Sequence, residues 1–306
     1  MKEFCFEGKL LHTKENQASM ASLSALEEAM KSGRVLESIC YLCDSEQNLH
    51  VQLGTFEGVI PKSEGAIGAE SGKVKDIAFI SKVGKPVQFV ITDLLRTGQS
   101  VQAVLSRKAV QQQCRESYLR YLQPGDVVQV KVTHLERFGA FVDIGAGLNS
   151  LIPIDMLSVS RIAHPAQRVR EGQELCCVLR KKEDGKITLS LREMLGTWEE
   201  NAAAFSAGQT VKGIVRSVES YGVFIELAPN LAGLAEYNET VLTGQAVSVY
   251  IKSIIPEKMK IKLSIIDVIE QNESTPLHYF FAGSHMDAWH YSPACCEKVI
   301  ETVFNK

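Results

Sequence analysis

Apolar positions alternate with polar ones in several segments of this chain and recur at helical spacing in others. In the segment 124–154, Val128, Val130 and Val132 alternate with Gln129, Lys131 and Thr133, the period of a half-buried strand. A second apolar run at 138–144 follows within a few residues, so the two predict adjacent antiparallel strands. Phe138 and Phe141 stand three positions apart with Gly139 between them, and simple alternation places them on opposite faces. A bulge at Gly139 is the expected device for bringing both rings to one side. On an open face beside Arg137 and Lys131 such a pair suits the stacking of unpaired bases; turned inward it is ordinary core. These residues alone leave both alternatives open.

The pattern returns. From Ala207 the run AGQTVKGIVRSVESYGVFIELAPNLAGLAE repeats the spacing, with Tyr221 and Phe224 at the ring positions. Each copy closes alike, with GQELCCVLRKKEDGKITLSLR from Gly172 and GQAVSVYIKSIIPEKMKIKLSII from Gly244. A repeat of this length is a whole small domain, and its strand-length segments fit a five-stranded barrel. A degenerate copy precedes both, its five strands expected within 34–43, 48–54, 58–61, 83–91 and 101–107. It carries an insertion at 63–81 with a further expected strand at 74–80, and Gln47 and His50 stand where the rings would be.

Helical signals lie between the copies. Ser24 and Glu27 read as a capping box for a helix over 24–32, with Leu23, Leu26 and Met30 on one side and Gly33 ending it; residues 12–22 look loose. A connecting helix is predicted over 109–122, with Val110, Cys114, Leu119 and Leu122 inward. A second connector, 193–206, offers Trp198 and Phe205 as wedges between domains, and semi-rigid helical links are expected. The tail from Ser274 holds too many aromatics for disorder, among them Tyr279, Phe280, Phe281, Trp289 and Tyr291. It is expected to pack on the third barrel, with Pro293 opening a short helix whose Val299, Ile300, Val303 and Phe304 dock.

The order Gly125-Asp126-Val127-Val128, then Phe138-Gly139-Ala140-Phe141-Val142, Gly172-Gln173 and Lys186-Ile187-Thr188-Leu189-Ser190-Leu191 resembles the S1 RNA-binding domain, an OB-fold barrel. The third copy shares the pattern with Tyr221 in place of the first Phe. The resemblance implies a mostly β chain: an N-terminal segment and helix (1–32), a degenerate S1-like barrel (33–108), a linker helix (109–123), an S1 domain (124–192), a linker helix (193–206), an S1 domain (207–267) and a C-terminal extension (268–306). It also implies that Phe138 and Phe141 stack bases and that Lys186 is a basic contact. Two departures stand out, Pro153 where the family often has histidine and Lys182 where it often has aspartate. The hairpin holding Arg180, Lys181, Lys182 and Lys186 suits phosphates. In the third copy Tyr221 and Phe224, with Lys258 and Lys260, take these places, while Glu236 stands at the histidine position and adds repulsion. The second copy is therefore expected to bind more tightly than the third.

The function so implied is a single-stranded RNA (mRNA) binding protein related to ribosomal protein S1, acting in translation at the small ribosomal subunit, which the first copy would contact. A protein-interaction adaptor and a regulator of RNA turnover remain alternatives. Composition narrows the field further. With 306 residues and a formal net charge of -3, nonspecific coating of nucleic acid is disfavoured, while local basic patches are not. No apolar run approaches the roughly 18 residues of a membrane span, and residues 1–4 do not begin a secretory signal, so a cytoplasmic protein without membrane contact is expected. The 8 cysteines read as reduced thiols. Cys40-x-x-Cys43 and Cys295-Cys296, with His285 and His290, raise a zinc site; no second Cys-x-x-Cys stands at finger spacing, so no metal or cofactor is expected. Without clustered carboxylates, a phosphate loop or Gly-x-Ser-x-Gly, no enzyme is expected. The sequence sets no oligomeric state.

Overall fold

The computed structural model describes residues 4–72, 74–97, 100–183, 185–269 and 276–304. The start of the chain, Lys73 in the insertion, Asp184 in the cationic hairpin and positions 270–275 of the tail lie outside the described residues. Two compact units divide the chain, residues 1–122 with 143–149 and residues 123–142 with 150–306.

The first unit begins with α1 (Lys14–Ser19) and α2 (Leu23–Ser32). The segment expected to be loose thus contains a helix, because Thr13 supplies an N-cap to Asn16. The cap of α2 is Ser22, whose hydroxyl accepts from the Ala25 N–H at 3.3 Å; Ser24 lies inside the helix and forms no capping box. Gly33 ends α2 in the left-handed conformation. Five strands follow, β1 (Leu36–Cys43), β2 (Leu49–Leu53), β3 (Phe56–Ile60), β4 (Pro86–Thr97) and β5 (Ser100–Ser106), closed in the order β1-β2-β3-β5-β4. Leu36, Val51, Ile60, Phe89 and Leu105 fill the interior. The inserted segment holds α3 (Ile77–Ile80) where a strand was expected. A closed barrel leaves no edge for a sixth strand, and Phe79 instead drops into the core. After β5, α4 (Arg107–Cys114) is capped by the Ser106 hydroxyl and runs into a π-helical turn at Arg115–Leu119. Val110, Cys114, Leu119 and Leu122 are all buried, as the spacing predicts. Arg107 also reaches buried Glu7 at 2.6 Å.

The second barrel consists of β6 (Val127–Glu136), β7 (Gly139–Asp143), β8 (Asn149–Pro153), β9 (Glu174–Glu183) and β10 (Lys186–Ser190), with Val128, Val130 and Val132 inside. The connector holds a short 3-10 turn and α5 (Trp198–Ala202), which opens on a capping box from Thr197 and Glu200 and buries Trp198. The third barrel is β11 (Thr210–Glu219), β12 (Gly222–Ala228), β13 (Leu231–Ala235), β14 (Ala246–Ile255) and β15 (Lys260–Ile269), closed in the order β11-β12-β13-β15-β14.

Within the second unit the link between barrels is more than a helix. Glu226, buried, accepts from Arg168 at 2.7 Å and from Arg216 at 2.7 Å. Burial raises its carboxyl pKa, but the Arg216 and Arg168 hydrogen bonds outweigh burial and hold it below the ordinary value. Buried Asn230 donates to the carbonyls of Arg192 at 2.8 Å and Gly196 at 2.9 Å, and accepts from the Val159 N–H at 3.0 Å. A buried polar lock of this kind holds position because Arg168 loses its carboxylate and Asn230 its backbone partners if the barrels separate, while the Arg216–Glu226 pair stays within the third barrel.

The tail packs mainly on the second barrel and the connector, not chiefly on the third barrel as expected. The Met286 N–H bonds to Gly125 O at 2.8 Å, His285 Nδ1 lies 2.7 Å from Asp126 Oδ1, and the Trp198 N–H bonds to Tyr291 O at 3.0 Å. It also touches the third barrel, where the Tyr291 hydroxyl donates to Asn230 O at 2.5 Å. The helix expected after Pro293 does not form. Glu301–Val303 (β17) pairs with Ala288–His290 (β16), and that extended ladder turns Thr302 inward while Val299 and Val303 stay exposed. Of the four residues expected to dock, Phe304 is the one that is fully buried.

Candidate nucleic-acid interface

Phe138 lies in the two-residue turn between β6 and β7, outside either strand, so strand alternation does not govern it. No bulge at Gly139 is needed. The glycine is there because the chain passes close to the next strand: a Cβ at Gly139 would lie 2.4 Å from Ile152 O. The Ile154 N–H then bonds to Phe138 O at 2.9 Å and pins the turn. Phe138 is 56% exposed and Phe141 half-buried, so the pair is not interior core. Their centroids are 5.9 Å apart with planes at 88°, so each ring offers a separate face and they do not make one flat surface.

The third barrel rebuilds this arrangement with different residues. Tyr221 is 67% exposed, its ring is 6.1 Å from Phe224 at 87°, and a Cβ at Gly222 would lie 2.5 Å from Ala235 O. Directly paired positions on neighbouring strands share a face, so Phe224 continues a row across the sheet: Ser217, Phe224, Leu234, Lys262 and Ser253. Val223, Ala235, Ile261 and Leu263 on the same strands point into the core.

The candidate cations are placed unevenly. Arg137 is exposed in the same turn as Phe138. Lys131 on β6 is opposite Glu174 of β9. Arg180 stacks over the Phe304 ring at 5.9 Å, which ties it to the tail. Lys181 is paired with Glu183 at 2.7 Å. Lys182 is half-buried opposite Ile187, and Lys186 is exposed opposite Glu183 at the start of β10, beside β8 in the sheet. In the third barrel Lys258 sits in the 3-10 turn of the β14–β15 hairpin, and Lys260 is opposite Ile255; both are exposed. Glu236 carries its own partner, with Lys252 Nζ at 2.8 Å, so the repulsion expected from it is offset. That same hydrogen bond lowers the Glu236 pKa. Lys262 joins the hairpin lysines on this face, and its alternation with Ile261 and Leu263 in the sequence marks it as facing outward.

In the first barrel the corresponding row is Leu42, His50, Val59 and Val104. His50 is held between acids, its Nδ1 3.0 Å from Glu57 Oε1 and its Nε2 3.3 Å from Asp44 Oδ2. Tyr41 also donates to Glu57 at 3.0 Å. The Asn48 side chain is the largest influence holding the Asp44 carboxyl down at about 2, and His50 the largest holding Glu57 below its ordinary value. An approaching phosphate there meets two carboxylates. Gln47, at the other ring position, accepts from Lys62 and offers no ring.

All 8 cysteines are free thiols, and among the described residues no group of three His, Cys, Asp or Glu side chains could hold a metal. Among them, too, no helix is long and apolar enough to cross a membrane.

Three closed five-stranded barrels in tandem, two of them setting a turn ring perpendicular to a ring of the following strand, define an OB-fold repeat protein. Residues 121–192 match the S1 RNA binding domain family. The chain is 32% identical over 200 residues to small ribosomal subunit protein bS1 of Staphylococcus aureus (strain COL), covering 58% of this chain and 51% of that protein. It is 30% identical over 236 residues to a small ribosomal subunit protein bS1 homolog of Bacillus subtilis (strain 168), covering 75% of this chain and 58% of the relative. A solved multidomain protein with nucleic acid binding domains from Streptococcus pneumoniae TIGR4 aligns at 15% identity and a TM-score of 0.25, covering 76% of this chain and 73% of that one. The protein is thus S1-like, built with S1 domains. It spans little more than half the length of the curated relatives it matches.

Proposed function

We propose that this chain binds single-stranded RNA through the second and third barrels and, in the cytoplasm, holds mRNA at the small ribosomal subunit. The observation that carries this is the recurrence of one construction in two barrels of different sequence. Each has a turn aromatic forced outward by a glycine too close to a carbonyl for any Cβ, set at right angles to a strand aromatic. A ring pair kept at the surface at the same place in two repeats suits recognition, and bases present the matching flat face. Phosphates would lie along Arg137, Lys182 and Lys186 in the second barrel and along Lys258 and Lys260 in the third. Binding of this kind positions RNA without altering it, so no catalytic group is assigned.

The first barrel is given a protein-contact role, because acids surround its ring positions while Tyr41, Leu42, Ile77 and Ile80 stay exposed. The test is titration of the full chain with unstructured single-stranded RNA and with duplex RNA of equal length. Preference for the single strand, falling as salt rises, is expected; equal binding of both removes the stacking mechanism. Crosslinking in cells, with identification of both RNA and protein partners, then separates a translation factor from an adaptor.

A further inference from the structure

We propose that Lys262 is a phosphate-binding residue of the third barrel, set inside its stacking row and not at the hairpin tip; this rests on the single-strand RNA reading of that barrel. Lys262 is exposed on β15, and its Cα pairs with Leu234, which in turn pairs with Phe224. Neighbouring strands are about 4.8 Å apart, so Lys262 starts roughly 10 Å from the Phe224 backbone on the same face. A compact ammonium on a flexible four-carbon stem covers the ground between. Leu234 lies between ring and cation as an apolar floor, and Ser253 and Ser217 bound the row with hydroxyls. No ion pair engages Lys262 among the described residues, whereas nearby Lys252 is tied to Glu236.

The strand periodicity adds a second cation. Ile261 and Leu263 are buried, so Lys260 and Lys262 both point outward, roughly 6.6 Å apart along β15. A base resting on Phe224 therefore has its backbone beside a two-lysine track. The other barrels lack this. In the second, Leu151 pairs with Thr188 where the third pairs Leu234 with Lys262, and the cation across from Thr188, Lys181, is held by Glu183 at 2.7 Å. In the first, Val59 pairs with Val104. The third barrel thus offsets its smaller hairpin charge with a cation on the sheet face, and the advantage expected for the second barrel narrows.

The experiment uses the full chain carrying Phe138→Ala and Phe141→Ala, so that the third barrel dominates binding to an unstructured single-stranded RNA. Adding Lys262→Gln should weaken binding roughly fivefold and reduce the slope of log affinity against log salt by about 0.7, the share of one phosphate on a single strand. Lys31→Gln, on α2, serves as a control for overall charge and should leave the slope unchanged. In the otherwise unaltered chain, Thr188→Lys should add about 0.7 to the slope by building the same contact into the second barrel. An unchanged slope for Lys262→Gln, or an equal loss with Lys31→Gln, overturns the assignment. If binding in that case still disappears with Tyr221→Ala and Phe224→Ala, RNA binding by the third barrel stands and Lys262 alone is wrong. No binding by the unaltered chain removes the RNA reading and this inference with it.

Discussion

Replacing both Phe138 and Phe141 by alanine isolates the contribution of one ring pair. Phe138 projects from a turn and is 56% exposed, so its loss should change stability by no more than about 0.5 kcal/mol. Phe141 is half-buried and loses its edge-to-face partner at 5.9 Å, an aromatic contact of about 0.5–1.5 kcal/mol. Both costs are small beside a typical net stability of about 5–15 kcal/mol, so the barrel remains folded. The effect on RNA is larger. Because the ring planes stand at 88°, each face takes its own base, and stacking contributes about 1–3 kcal/mol per base. Two lost stacks amount to about 2–6 kcal/mol, partly masked by the Tyr221–Phe224 pair, which still holds the strand. A loss of at least about tenfold is expected, the equivalent of about 1.4 kcal/mol. Fluorescence anisotropy with a labelled unstructured RNA measures it, with far-UV circular dichroism to verify folding. The rings carry no charge, so the salt slope should not move. A folded double variant that binds within twofold of the unaltered chain would refute the stacking argument.

Other consequences follow from the same geometry. Lys182→Gln with Lys186→Gln should flatten the salt dependence for every RNA sequence by about 1.4 in slope, without changing base preference; an unchanged slope excludes these lysines as phosphate contacts. Gly139→Ala should cost about 1–3 kcal/mol and displace Phe138, since the new methyl would lie 2.4 Å from Ile152 O; a melting point equal to that of the unaltered protein contradicts the close approach. Glu226→Gln leaves Arg168 and Arg216 buried without their carboxylate and should destabilise the second unit by about 3–5 kcal/mol in denaturant unfolding. Because the Glu226 pKa is lowered in the folded state, its contribution is present above the ordinary carboxylate value and fades as pH falls through the lowered one. The unaltered protein should therefore lose stability on acidification more steeply than Glu226→Gln, and parallel pH profiles would show that the triad does not set it.

Much of this protein was legible before any coordinates. Alternation at Val128, Val130 and Val132, repeated from Ala207, marks the strands of two copies, the repeat length and the S1 resemblance point to five-stranded barrels, and a degenerate copy at 33–108 adds the third. The candidate rings were legible too, since Phe138 and Tyr221 recur at one place in a repeat. What local pattern could not supply was everything set by closure and by distant partners. It pointed to a bulge at Gly139 where the reason is a carbonyl one strand away, and to a strand at 74–80 where a closed barrel has no edge left to offer. It placed a helix after Pro293 where β16 holds the segment extended. By sequence Arg180 is one of the hairpin cations suited to phosphates, whereas the tail brings Phe304 beneath it, and Lys262 becomes part of a site only through its pairing with Leu234. Periodicity is a property of neighbours in the chain and is fully written there; which side chains share a face across strands depends on register, and register is decided only when the barrel closes.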